Sequence, residues 1–294
     1  MLLDIIKVLI LSIVEGVTEF LPVSSTGHLI LVNEFVKLQP EGFANAFSVV
    51  IQLGAIISVV VLYFSRLNPW DREKTEKYFP KKYDKLNNQS RFYFRLTHPD
   101  PSTMELWKRV IVGILPAMVL GLLFDDLIDQ YLFSPMVVAT MLLVWGLIII
   151  FVEKKNKASK KAKIDNINMV SYKTILLIGF FQTLAMVPGT SRSAATIIGG
   201  MVLGLSRSAA AEFSFFLAIP TMFGATLLKV VKNFGGFTGY QWGLILLGSI
   251  LSFLVAYVVI KKFMAYIKKH DFIPFGIYRI ILSIVVFIYF GLIR

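Results

Sequence analysis

Six apolar stretches, each near the length that crosses a lipid bilayer, leave this 294-residue chain few folds to choose from. They fall at about 44–64, 110–124, 135–152, 208–232, 240–260 and 276–293, and a membrane-spanning helix needs roughly 20 apolar residues. Inside lipid every backbone N–H and C=O must find its partner within the protein, so only helices and closed barrels can span. Uninterrupted Phe-rich runs of helix length, without the short alternating segments of a barrel, select helices. A hydrophobic content of 56% and a mean hydropathy of +0.72 agree with a polytopic membrane protein and exclude a soluble domain. The absence of Cys removes disulfides, thiolate catalysis and cysteine metal sites together.

A net charge of +12 raises nucleic acid as a partner, but the distribution of the charge decides otherwise. Of the 30 basic residues, 22 lie in three connections, 65–109, 153–173 and 261–275. Six spans put these connections on one face and acidic Asp125, Asp126 and Asp129 on the other. The positive-inside rule makes the basic face cytoplasmic and leaves both termini outside. The charge therefore reads as topology, and no nucleic acid is implied.

The chain also repeats itself. LPVSS at Leu21–Ser25 returns as VPGTS at Val187–Ser191, and FSV at Phe47–Val49 returns as FSF at Phe213–Phe215, each displaced by 166 positions. The segments 1–37 and 174–205 both read as an apolar arm, a Pro-containing break and a second arm of about a dozen residues, too short to span and so re-entrant. Each copy is then a hairpin plus three spans, an odd number of crossings, which inverts the second copy relative to the first. The expected fold is all-α and polytopic, with two inverted-topology repeats, 1–152 and 153–294, each a re-entrant helical hairpin plus three transmembrane helices. Ligand sites in such folds lie where the broken helices of the two repeats meet.

The first hairpin carries EGVTEFLPVSSTGH from Glu15 to His28. Glu15 and Glu19 are four apart and share a helix face, where two carboxylates can hold a divalent cation or handle a proton. The competing reading is a proton-sharing pair that only joins helices, and ionisable groups at membrane depth argue against it. Ser24, Ser25, Thr26 and Gly27 should open the second arm, with hydroxyl caps and free N–H groups suited to an anion. His28, three residues after Ser25, is placed for a nucleophile and base pair; singly, Ser25 reads as a cap and His28 as an interfacial residue. The second hairpin supplies PGTSRSAAT from Pro188 to Thr196. Gly189 permits close approach, Thr190, Ser191 and Ser193 offer hydroxyls, and Arg192 is a planar cation matched to phosphate oxygens. An ion pair with Glu15 or Glu19 is the alternative for Arg192. If the two tips meet, they form a phosphate site.

EGVTEFLPVSSTGH and PGTSRSAAT, with FSVVIQLGAI at Phe47–Ile56 and ILPAMVLGLLFDD at Ile114–Asp126, resemble the undecaprenyl-diphosphate phosphatases of the bacitracin-resistance type. The resemblance runs over nearly the whole chain. It implies an integral enzyme of the bacterial cytoplasmic membrane that hydrolyses undecaprenyl diphosphate to the monophosphate, recycling the lipid carrier of peptidoglycan synthesis. The family's glutamate-rich motif maps onto Glu15, Glu19, Ser25 and His28, and its PGxSRS motif onto Pro188, Gly189, Ser191, Arg192 and Ser193. Ala194 stands where glycine is expected, and the 65–109 connection is longer than is usual in the family.

The mechanism expected from residues and resemblance together is in-line attack by Ser25 on the terminal phosphorus. His28 serves as acid and base, Arg192 clamps the phosphoryl group, and Glu15 and Glu19 hold Mg2+ or Ca2+. Attack by an activated water is the close variant. The expected partners are a polyprenyl diphosphate and the bilayer, and a homo-oligomer is compatible with the sequence. A different class, a secondary transporter or flippase for a lipid phosphate or small anion, uses the same inverted-repeat design. It needs no nucleophile.

Overall fold

In a computed structural model the described residues are mainly helical. The helices are α1 (Leu2–Thr18), α2 (Ser25–Val36), α3 (Glu41–Leu62), α4 (Phe64–Leu67), α5 (Arg72–Tyr78), α6 (Pro80–Tyr83), α7 (Asn88–Thr97), α8 (Pro101–Leu132), α9 (Pro135–Ala158), α10 (Tyr172–Thr183), α11 (Arg192–Val202), α12 (Arg207–Asn233), α13 (Gly239–Ile267) and α14 (Ile273–Ile288). The structure describes residues 1–83, 86–132, 134–158, 163–233 and 236–293; side chains at 80–81, 125–130, 228–229, 232–233 and 292–293 lie outside it. The acidic trio Asp125, Asp126 and Asp129, and Lys81, Lys85, Lys160 and Lys161, thus fall outside the described side chains. Among the described residues there is no strand, only one isolated bridge between Ile164 and Leu205.

Among the described residues six helices, α3, α8, α9, α12, α13 and α14, contain stretches long and apolar enough to cross a membrane, so the chain is a multi-pass membrane protein. The expected boundaries 110–124 and 135–152 are too short. α8 begins at Pro101 and α9 runs to Ala158, because a helix continues past the apolar stretch as long as its charged ends are satisfied. Arg109, for example, donates to the Val170 carbonyl at 3.0 Å and pairs with Glu105. The 65–109 connection, expected as a charged loop, is folded into α4 to α7 and the first turns of α8.

Contacts between connections sort the chain ends into two groups. Lys7 Nζ donates to the Lys37 carbonyl at 2.8 Å and the Tyr240 hydroxyl to the Met1 carbonyl at 3.0 Å, which gathers the ends of α1 and α2 with the start of α13. Elsewhere Arg207 grips the buried Glu153 through two bonds of 2.8 and 2.6 Å, and the Phe272 N–H donates to the same carboxylate at 3.0 Å. Arg66 pairs with Glu212 at 2.5 Å, and Asn168 donates to the Ser102 carbonyl at 2.9 Å. All three basic connections belong to this second group.

The helices pair in a regular pattern. α3 packs on α12, α9 on α14, α1 on α13 and α10 on α8, while α1 packs on α2 and α10 on α11. Glycines permit close approach in two of these pairs: a Cβ on Gly16 would fall 2.8 Å from the Ser252 carbonyl oxygen, and one on Gly179 only 2.3 Å from that of Gly113. Phe47 and Phe213, which share a repeat motif, are both fully buried, while Ile111, Leu122, Leu147 and Leu246 are exposed on the outside, as a lipid-facing surface requires.

Candidate active site

Both breaks build the same strained helix start. α1 carries Glu15 and Glu19 to its C-terminal end, where Glu19 keeps helical angles; the chain turns through Phe20 to Val23 and restarts as α2. Ser24 caps α2, its Oγ accepting the Gly27 N–H at 3.3 Å. In the second copy a 3-10 turn, Leu184–Met186, leads to Ser191, whose Oγ accepts the Ala194 N–H at 3.2 Å. Both caps sit at positive φ, 75° for Ser24 and 74° for Ser191. A side chain seldom tolerates that region, and such strain concentrates at functional sites. Gly189 has φ of 93°, and a Cβ there would lie 2.6 Å from the Val138 carbonyl oxygen, so only glycine fits.

The matched caps correct the repeat register. Ser24 and Ser191 are 167 positions apart, whereas the first residues of α3 and α12, Glu41 and Arg207, keep 166. Ser25 therefore corresponds to Arg192, not to Ser191. Each is the first residue of the helix that follows its break.

These two residues meet on one carboxylate. Ser25 Oγ donates to Glu19 Oε2 at 2.5 Å, and Arg192 Nη2 donates to Glu19 Oε1 at 3.1 Å. The ion pair weighed as the alternative for Arg192 is thus formed, with Glu19. Arg192 Nη1 is fixed by the Ser214 carbonyl at 2.9 Å, and Thr196 donates to Ser214 Oγ at 2.6 Å, so the FSF motif holds the guanidinium. Ser193 Oγ crosses to the first break and donates to the Leu21 carbonyl at 2.8 Å, while Ser191 and Ser193 share a hydrogen bond of 3.0 Å. Among the described residues the N–H groups of Ser25, Thr26, Arg192 and Ser193 have no protein acceptor. A hydroxyl and a guanidinium, each on the first residue of a helix whose opening turn has free N–H donors, thus meet on the Glu19 carboxylate, an arrangement suited to a phosphoryl group.

One expected pairing, that of His28 with Ser25, is not formed. His28 makes no hydrogen bond to Ser25; its Nδ1 lies 2.7 Å from the Ser24 carbonyl and its Nε2 2.6 Å from the Tyr278 hydroxyl. The reason is geometric: the carbonyl of the cap, four residues back, is within easier reach of the ring than the hydroxyl of Ser25. Thr190 is buried with an unpartnered hydroxyl. Thr26 is half-buried in the first turn of α2.

Glu15 is fully buried and neither of its carboxylate oxygens has a hydrogen-bond partner. An orphaned carboxylate in an apolar interior is costly unless neutralised. With Glu19 on the same helix face, it makes an oxygen-only donor set that suits Mg2+ or Ca2+ completed by phosphate oxygens and water. The described residues contain no cluster of three or more His, Asp or Glu, so such an ion would depend on the substrate for ligands.

Arg279 was not anticipated. It sits in α14, fully buried, and donates to the carbonyls of Pro22 at 3.2 Å, Gly189 at 2.7 Å and Thr190 at 3.0 Å. One side chain thereby ties both breaks together. The sequence signal was available: a lone arginine inside FGIYRIILSIVV, at membrane depth, is the kind of residue that marks a site.

The model of the family described as Bacitracin resistance protein BacA matches residues 8–285. The chain is 50% identical over 292 residues to Undecaprenyl-diphosphatase 1 of Clostridioides difficile, covering 99% of this chain and 98% of that protein. It is 51% identical over 286 residues to the Undecaprenyl-diphosphatase of Fusobacterium nucleatum, covering 96% and 98%, and 49% identical over 295 residues to that of Limosilactobacillus fermentum, covering 99% of each. Matched by the family model from its first helix to its last, and sharing about half its residues with full-length relatives, the chain belongs to the bacitracin resistance protein BacA family.

Proposed function

We propose that this protein is an integral-membrane undecaprenyl-diphosphatase, releasing phosphate from undecaprenyl diphosphate and returning the monophosphate carrier to cell-wall synthesis. The observation that carries the reading is the convergence of Ser25 and Arg192, first residues of two separate helices, on Glu19. When the diphosphate enters, Arg192 exchanges Glu19 for oxygens of the terminal phosphoryl group, and the free N–H groups of the two helix starts take the rest of the charge. Ser25 Oγ then attacks the terminal phosphorus in line and gives its proton to Glu19 Oε2, while the bond from phosphorus to the bridging oxygen breaks and the lipid monophosphate leaves. Glu19 passes that proton to the departing monophosphate, then takes one from the water that attacks the phosphoserine. It returns this proton to Ser25 Oγ as the phosphorus–Oγ bond breaks, so that phosphate is released and the serine regenerated. Glu15, with Glu19 beside it, would hold a Mg2+ or Ca2+ that neutralises diphosphate charge.

We also infer that the chain is two inverted repeats, each a re-entrant hairpin plus three spans. The reading is supported by the reciprocal pairing of α1 on α13 and α10 on α8, and by the hairpin ends falling in opposite contact groups. The basic connections would face the cytoplasm and the termini the outside. The prenyl tail would lie along the hairpin arms, where Ile10, Ile13, Phe180 and Leu184 are exposed.

The test is phosphate release from undecaprenyl diphosphate by the purified protein in detergent, beside Ser25→Ala. Release by the native chain and its loss in the variant are expected. No release by a folded native protein would overturn the reading.

A further inference from the structure

His28 has both ring nitrogens engaged, and the nature of the partners determines which nitrogen carries the proton. A backbone carbonyl can only accept, so Nδ1, 2.7 Å from Ser24 O, must be the N–H. In the neutral ring Nε2 is then bare, and the Tyr278 hydroxyl at 2.6 Å donates to it. The two ring planes lie within 5° of parallel. Should Nε2 take up a proton, the same hydroxyl can turn to accept it, because a phenol both donates and accepts. The contact therefore survives either protonation state.

We propose that Tyr278 is the positioning residue of the first helix start. It fixes His28 as the Nδ1–H tautomer, and through it the Ser24 carbonyl at the cap with φ of 75° that sets where Ser25 points. The Ser24 carbonyl takes two bonds from the same residue, the ring N–H and the His28 backbone N–H at 3.2 Å. Loss of the ring bond would loosen the cap from one side. The only basic nitrogen of His28 faces Tyr278 and not Ser25, so His28 supports the nucleophile by holding its helix and leaves the serine proton to Glu19. Arg279, the next residue of α14, binds the Pro22 carbonyl two residues before this cap. A single turn of α14 thus fixes the first break from both sides.

The kinetic part of this inference rests on the phosphatase reading above, and the spectroscopic part does not. The chain has three histidines, His28, His98 and His270, so 15N-histidine labelling of the full-length protein gives a small set of ring resonances, with His28→Gln identifying its own. The native protein at mildly alkaline pH should show a protonated Nδ1 and a bare, hydrogen-bonded Nε2 for His28. Tyr278→Phe removes only a hydroxyl from a side chain that is 44% exposed, so the fold is kept. It should shift the His28 Nε2 resonance, leave those of His98 and His270 in place, and lower kcat about 3- to 10-fold with KM unchanged, the loss of one hydrogen bond. An Nε2–H tautomer in the native protein, an unmoved Nε2 resonance in Tyr278→Phe, or an unchanged kcat would each overturn the proposal. If the native protein releases no phosphate, the phosphatase reading fails while the spectrum still decides the tautomer.

Discussion

Arg279 offers the most quantitative test of how the site is held. Its guanidinium makes three bonds of 3.2 Å or less to carbonyls of both breaks, from a fully buried position. Hydrogen bonds from a charged donor are worth about 1.5–3 kcal/mol each, so the gross interaction is about 4–9 kcal/mol. Water and local relaxation recover part of it, and breaking a buried charged network costs about 3–5 kcal/mol. That is a large share of a typical stability of about 5–15 kcal/mol. Arg279→Met should therefore lower resistance to denaturant strongly and abolish phosphate release, since the carbonyls of Pro22, Gly189 and Thr190 lose their common donor. Arg279→Lys keeps a charge but loses the planar fork, and should fall between the two, about 1–3 kcal/mol less stable than native. Ile281→Ala, on the exposed side of the same helix, is the control and should stay near native. Unfolding by denaturant titration in one detergent, paired with phosphate release on the same preparations, reads all three. An Arg279→Met protein as stable and active as the native chain would refute the idea that this residue holds the breaks.

Three further outcomes follow from other parts of the molecule. Glu15→Gln should raise the divalent-metal concentration for half-maximal activity by roughly tenfold or more, measured by Mg2+ titration after chelation; an unchanged titration would remove Glu15 from the metal site. In the native protein, which has no Cys, Asn156→Cys should be labelled by an impermeant thiol reagent only from the cytoplasmic side, and Gly239→Cys, at a position with open space around it, only from outside; labelling of both on one face would break the inverted-repeat reading. Burial disfavours the Asp271 carboxylate, but Lys157, the Ile273 N–H and Arg207 outweigh it and hold the carboxyl below its usual range. A depressed folded pKa stabilises above the unfolded value of about 3.9 and the benefit fades as pH falls through the folded one. Asp271→Asn should thus be slightly less stable near pH 7 and lose less on acidification below about pH 4, and an identical acid profile would show that the pair contributes nothing.

What could be read from the residues beforehand followed physical distinctness. Apolar runs and lysine-rich connections are coarse signals, and they located the six membrane helices. Glu19, Ser25 and Arg192 stood out because charges and clustered hydroxyls are rare in such sequence. The cap was harder: Ser24 and Ser25 are adjacent hydroxyls, and only the positive φ distinguishes the one that caps from the one that points at Glu19. Matching Pro22 to Pro188 by motif hid the one-residue offset that makes Ser25 and Arg192 equivalent. Arg279 and Tyr278 are hard to read beforehand because their helix looks like an ordinary span with one charge in it, away from the broken segments. Helix spacing, in the company of two carboxylates and an arginine, pairs His28 with Ser25, and no spacing rule could weigh the Ser24 carbonyl and a phenol 250 positions away.

The central claim is that Ser25 and Arg192, equivalent residues of two separate hairpins, act on the same phosphoryl group. The direct measurement is a double-mutant cycle of Ser25→Ala and Arg192→Lys on single-turnover phosphate release from undecaprenyl diphosphate, with folding of each variant checked. Arg192→Lys alone should cost roughly tenfold or more, from the loss of a bidentate charged clamp. Groups that serve one transition state are strongly non-additive, so the double variant should be little worse than Ser25→Ala by itself. Losses that multiply in full would mean that the two residues work at separate places, and the shared site would have to be given up.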